Sequence, residues 1–300
     1  MEAFKESIIV MWSFPVYAIV ILAEILYAHF HRIRLYSIKG TFHNILLSSL
    51  NALLDIAMRG ACLMVLDFFY QFHFIEIKST FWYWFWLVIG QDFMFYWLHR
   101  VDHYCRLFWA IHATHHNSEE FNLTVGFRSS VFQPLYRFIY YIPLALLGFK
   151  GLDIMLVYSA TQIFGILVHT QTIGKLGFLE YIFVTPSHHR VHHGKNVPYL
   201  DKNMGMLLII WDKLFGTFEE ETEKVEYGLT KPLEKDDPFT LIFHEWIEMW
   251  KDVKRAPTMK DKLMYIFGPP GWSHDGSKKT SAQLRAERLK QQYQQKIVEQ

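Results

Sequence analysis

The sequence predicts an all-α protein: a multi-pass membrane bundle of about four to five spans, closed at one end by a histidine-rich cap. Three observations predict it. Hydrophobic residues make up 51% of the 300 residues and charged ones only 20%, more apolar surface than a water-soluble shell accommodates. Apolar runs at or near membrane-spanning length recur along the chain. Ten of the sixteen histidines fall between residues 99 and 193, where an even spread would place about five. Histidine is the commonest metal ligand, so such clustering calls for a chemical explanation.

The first run, residues 8–28 (IIVMWSFPVYAIVILAEILYA), reaches the roughly 20 residues a spanning helix needs. Pro15 is tolerated in a membrane helix; Glu24 is a blemish. The preceding MEAFKES has no net positive charge and no small-residue cleavage site follows, so the run does not read as a signal peptide. A second helical run, about 45–70, carries Asp55 and Arg59 one turn apart, close enough to pair; it either spans with that pair turned inward or lies in the interface, and spanning is favoured. The third, 81–98 (FWYWFWLVIGQDFMFYWL), is rich in aromatics and ends at His99. The fourth and fifth, 131–147 and 152–168, flank GFKG and read as a helical hairpin, with Pro134 and Pro143 kinking or delaying its first arm. MGMLLIIW at 204–211 is too short to span and reads as a buried strand or short helix closing over the site. The tail from about Ser277 reads as a solvated helix. Domain boundaries are expected at 1–80 (membrane helices), 81–235 (catalytic domain) and 236–300 (polar segment).

Arg32, Arg34 and Lys39 after the first run place that loop in the cytoplasm by the positive-inside rule. Counting spans from there brings the segments after His99 and His169 to the same face. Net charge is +1 with no basic stripe, which excludes nucleic acid as a partner. Cys62 and Cys105 are too few for a disulfide framework and lack metal-binding spacing; a reducing compartment fits.

Four histidine pairs stand four residues apart: His99/His103, His112/His116, His188/His192 and His189/His193. On a helix each pair shares a face with Cβ atoms about 5–6 Å apart, so both rings can reach one ion. Two boxes also read HxxHH, His112, His115, His116 and His189, His192, His193. There the i+3 and i+4 rings diverge around the helix, so one box can serve two neighbouring metals. His169, at the end of the fifth run, is a further ligand candidate. His29, His31, His43, His73, His244 and His274 read as ordinary core or interfacial histidines. Trp109, Trp211 and Phe215 read as packing residues. Eight or nine imidazoles exceed the three or four ligands of one zinc ion; two six-coordinate ions with open positions use them better. Imidazole suits iron, zinc and copper alike. A haem would leave most of the histidines idle, and HEWIE at His244 lacks a zincin's second histidine. Two irons that activate dioxygen are the best use of such a site at a membrane, where lipid C–H bonds are the natural targets.

HRVDH, HATHHN and SHHRVHHG, in this order with membrane runs between them, resemble the fatty acid hydroxylase/sterol desaturase superfamily over roughly residues 81–233. DFMFYWLHR, HNSEEFNLTVGFRSS, TPSHHRVHHGKN, LIIWDKLFGTFEEETEKVEYGLTKP and FGPPGW are similar to its alkylglycerol monooxygenase subgroup. The resemblance implies metal ligands at His99, His103, His112, His115, His116, His189, His192 and His193, with His169 matching a further histidine of the subgroup. His188 and His189 both have an i+4 partner, and the sequence leaves open which is the ligand. Asp102, Glu119, Asn122, Arg128, Asp201 and Asn203 are expected to orient the imidazoles; for Asp201 and Asn203 a turn role is an equal alternative. The chain is shorter than the animal enzymes of the subgroup, which puts substrate and donor in question.

The function expected is a dioxygen-dependent lipid monooxygenase with two iron ions, acting on the ether-adjacent carbon of a glyceryl ether if the subgroup resemblance extends that far. A same-class alternative is a sterol or fatty-acyl desaturase or hydroxylase. A metal transporter predicts polar residues deep in several spans, whereas these clusters sit at span ends; a structural zinc protein would not need so many ligands. No GxGxxG element or haem domain is evident, so electrons are expected from outside, from a small molecule or a redox protein; the subgroup resemblance implies tetrahydrobiopterin. The expected location is the bacterial inner membrane or the endoplasmic reticulum.

Overall fold

Apolar helix-forming runs, polar breaks and capping residues alternate along the chain, and the computed structural model, which describes residues 2–298, follows them. Eleven α-helices occur among the described residues: α1 Glu2–Phe30, α2 Ile38–Tyr70, α3 Thr80–Tyr104, α4 Arg106–His116, α5 Ile142–Leu146, α6 Gly151–Leu167, α7 Pro186–His192, α8 Ile210–Phe215, α9 Pro238–Arg255, α10 Met259–Phe267 and α11 Ser281–Val298. Helix starts are marked by side-chain caps, as at Ser37, whose hydroxyl accepts from the Gly40 N–H, and Asp237, which accepts from Thr240. The expectation of an all-α protein holds.

Helices α2, α3, α5 and α6 enclose the main core, built on Leu66, Leu87, Leu144, Ala145 and Ile154. Outside it the helices stay apolar toward their surroundings. Trp12, Phe14 and Ile19 on α1, Ile56 and Met64 on α2, and Phe81 on α3 are each at least 65% exposed. Such a belt is wider than water tolerates and matches a hydrocarbon environment.

Three expectations are modified. The run 131–147 is not one helical arm: it is split into 3₁₀ turns at Gln133–Leu135 and Arg137–Tyr141 before the five-residue α5. Pro134 and Pro143 each lack an N–H for the helical ladder and sit at helix starts, which explains the break. Of the candidate spans, the stretch Met11–Phe30 is both long and apolar enough to cross a membrane; Arg137–Leu146 and Gly151–Leu167 are apolar but shorter. At 1.5 Å per residue α2 is about 50 Å long, and polar residues along it, Asn51, Asp55 and Arg59 among them, lower its apolarity. Asp55 does receive Arg59, at 3.4 Å, and also takes an ion pair from Arg137. MGMLLIIW combines both anticipated forms: one antiparallel bridge, Phe183 to Leu208, followed by the start of α8. The tail forms α11, which has no buried residue.

Candidate metal centre

The histidines come from four places that the fold draws together. His99 and His103 lie on the last turns of α3. A single extended residue, Cys105, at φ −120° and ψ 119°, ends α3 and lets α4 fold back with His112, His115 and His116. His169 follows the C-cap of α6. Helix α7 is started by Thr185 and Pro186 and carries His189 and His192, with His193 at its C-cap. Gly194 then packs so closely that a Cβ would stand 2.9 Å from the Tyr199 ring and 3.0 Å from Val225.

These rings sort into two groups. The donor atoms of His99, His103, His112, His116 and His192 lie within 4.8 Å of one another, as do those of His115, His169, His189 and His193. Each HxxHH box contributes to both groups. In the first box the i+4 pair enters one group and the i+3 histidine the other; in the second box the i+4 pair and the i+3 histidine divide likewise. The groups adjoin, with the His116 and His193 ring centroids 4.4 Å apart.

Hydrogen bonds fix the tautomers, because a carbonyl oxygen only accepts. Nδ1–H of His99 donates to Met204 O (2.8 Å), His115 to Arg128 O (2.7 Å), His169 to Gly165 O (2.7 Å) and His192 to Lys202 O (2.9 Å). Nε2 of these four rings therefore carries a bare lone pair turned inward. Yet His115 Nε2 and His169 Nε2 stand 3.4 Å apart, two acceptors facing each other. Nε2 of His103, His192 and His193 is buried with no partner among the described residues. Facing lone pairs and orphaned nitrogens are what a cation between them would satisfy. Burial and mutual repulsion also hold His99, His112, His116, His169, His189, His192 and His193 well below the usual imidazole range, and burial lowers His115 to about 4. Neutral imidazole is the form a metal binds. The residues present fit two imidazole-bound ions.

His188 stands apart from both groups. Its Nδ1 accepts from the Thr185 N–H (3.3 Å) and its ring packs against Phe218, so it helps cap α7. The geometry thus favours His189 over His188 as the inward-facing ring.

The expected orienting residues divide. Asp201, at φ 53°, holds His103 Nδ1 at 3.2 Å. Asp102 accepts from Gln133 and Tyr136 (2.8 and 2.7 Å) and lies 3.8 Å from His112 Nδ1; burial raises its carboxyl to about 7. Arg128 acts through its carbonyl on His115, while its guanidinium binds Thr114 O, Asn117 and Asn44 and so fixes the end of α4. Asn203, also at positive φ, ties the His188 and Glu219 carbonyls together and reaches no imidazole. Asn122 binds Leu35 O, and Glu119 makes no hydrogen bond to an imidazole among the described residues. Trp109 packs against the His103 and His116 rings, and Phe215 stacks on Tyr96.

Two buried carboxylates escaped sequence reasoning. Asp212 accepts from Met204 N (2.6 Å), Gly205 N (2.8 Å) and the Thr217 hydroxyl (2.6 Å). It thereby holds the loop whose Met204 carbonyl orients His99. Asp92 accepts from Leu207 N, Leu208 N and Trp211 Nε1. WDKLFGT is thus the clamp of this loop, with Trp211, Asp212 and Thr217 each holding a bond and Gly216 at φ 74°. A carboxylate inside an aromatic run was the available signal for Asp92.

Residues 84–217 match the family model for fatty acid hydroxylase. The chain is 45% identical over 195 residues to alkylglycerol monooxygenase of Homo sapiens, covering 64% of this chain and 43% of the relative. It is 32% identical over 152 residues to an ornithine lipid hydroxylase of Rhizobium tropici, covering 50% and 46%. With a Delta(7)-sterol 5(6)-desaturase of Gibberella zeae it shares 28% over 149 residues, covering 45% and 43%. The chain spans somewhat less than half the length of these curated relatives. No solved structure matches. The matched segment, residues 84–217, holds all nine grouped histidines, so the chain is similar to the fatty acid hydroxylase family where the candidate centre lies.

Proposed function

We propose that the chain is the catalytic part of a membrane lipid monooxygenase in which two iron ions, one in each histidine group, oxidise an alkyl C–H bond with dioxygen. The observation that carries this reading is the pair of buried, neutral imidazole groups with inward lone pairs at the ends of apolar helices. Iron there would supply dioxygen activation. The protein's own residues do the rest: backbone carbonyls fix the tautomers of His99, His115, His169 and His192, Asp201 and Ser130 hold His103 and His112, and the buried surround excludes water.

A cavity of about 640 Å³ reaches His103, His116, His192 and His193, with Trp109, Lys195 and Lys231 on its walls. Its polar rim suits a lipid headgroup or an external donor, tetrahydrobiopterin or a redox protein, and supports oxidation at a carbon near the headgroup. The alkylglycerol monooxygenase relatives make a glyceryl ether the substrate of choice. Basic residues after α1 favour a cytoplasmic site, with α2, α3 and the pair formed by residues 131–147 and α6 joining α1 across the membrane. A fatty-acyl or sterol desaturase is the second reading, supported by the Gibberella zeae relative.

Lipid analysis of cells with and without the chain, with His115→Ala as control, tests the proposal. Loss of alkyl glyceryl ethers, absent with His115→Ala, is the expected result. A new double bond or sterol product favours the second reading, and no lipid change refutes both.

A further inference from the structure

Glu24 lies in α1, within the stretch long and apolar enough to cross a membrane, yet it is only 4% exposed. A carboxylate in such a helix is costly unless its oxygens are fully bonded. Both are. One accepts from the Tyr36 hydroxyl and from the Leu123 N–H at 2.9 Å; the other accepts from the Thr170 hydroxyl.

These partners flank the second histidine group on two sides. Thr170 directly follows His169, and its carbonyl is also held by Arg190 of α7 at 3.0 Å. Leu123 belongs to the loop that carries Phe121, whose ring stacks on His169 with centroids 5.6 Å apart and contacts His193 at 5.1 Å. Gln171 Nε2 closes the ring of contacts by donating to Phe121 O at 2.7 Å. The first group has no comparable contact with Glu24 among the described residues; it is oriented instead by Met204, Lys202, Asp201 and Ser130.

We propose that Glu24 is a positioning residue for the ion of the second group (His115, His169, His189 and His193), so that the membrane helix α1 is a working part of the metal centre. The family match begins only at residue 84, 60 residues after Glu24, so nothing in that match assigns this role. The inference rests on the reading of the two histidine groups as metal sites.

The test is metal binding, not turnover. The full chain, purified in detergent and stripped of metal, is titrated with Co²⁺, and the absorption of each site is followed. Wild type is expected to take up two ions. Glu24→Ala is expected to weaken one site about 10–100-fold, the usual cost of losing an outer-shell partner, and to leave the other unchanged. Glu24→Gln keeps one accepting oxygen and can donate to Thr170 through its amide, so it is expected to restore most of the affinity. Thr170→Val removes a single bond and gives an intermediate loss, which keeps the test available should Glu24→Ala fail to fold. His169→Ala identifies which spectral site is the second. Equal weakening of both sites, or two unaltered sites in Glu24→Ala and Thr170→Val, overturns the inference. A wild type that binds no ion overturns the metal reading itself.

Discussion

Replacing Asp212 by Asn keeps the shape of the side chain and removes one of the two acceptors that hold the 203–217 loop. Its oxygens take three hydrogen bonds, from Met204 N, Gly205 N and Thr217, and the residue is fully buried. An amide NH₂ can satisfy at most part of this set, leaving one or two buried N–H groups without an acceptor. Each costs about 1–3 kcal/mol, so the loss is roughly 1–6 kcal/mol, or about 2–12 °C in melting temperature at roughly 2 °C per kcal/mol. Because the loop carries the carbonyl that orients His99, affinity for the ion of the first group falls about 10–100-fold as well. Thermal melting in detergent and Co²⁺ titration read the two effects. Unchanged melting together with two unaltered metal sites in Asp212→Asn would refute the clamp.

Other perturbations separate the parts of the centre. His189→Ala should remove one ion per chain and His188→Ala neither, by elemental analysis. Gly194→Ala forces a Cβ against Tyr199 and Val225 and should destabilise by about 1–3 kcal/mol, read as a lower melting temperature. The metal-free protein should lose stability as pH falls below 6.5. Its site imidazoles resist protonation, His115 down to about 4, while the unfolded chain takes up protons from about 6.5 downward. Melting of the stripped protein at pH 7 and pH 5 checks this; an equal or higher melting temperature at pH 5 would contradict the burial of neutral rings.

Much of the centre was legible because helix periodicity converts spacing into direction. The i+4 pairs and the diverging i+3 rings of the HxxHH boxes anticipated the two groups. Spacing could not separate His188 from His189, since both have an i+4 partner. Thr185 favours His189, because its capping exchange with His188 holds that buried ring apart from both histidine groups. The broken 131–147 run was half legible: Pro134 and Pro143 signal a break, but not that 3₁₀ turns replace the arm. Long-range partners were the least visible. Glu24 meets Leu123 and Thr170 across 99 and 146 residues, and Arg106 meets Asp252 across 146. Contacts of this kind cross the expected boundaries near 80 and 235, and no local pattern encodes them.

The central claim is that nine histidines hold two redox-active ions. Iron analysis and electron paramagnetic resonance of the full chain, purified in detergent without chelator, test it most directly. Two irons per chain with a coupled pair signal are predicted, and a chain holding a single zinc or no metal would contradict it.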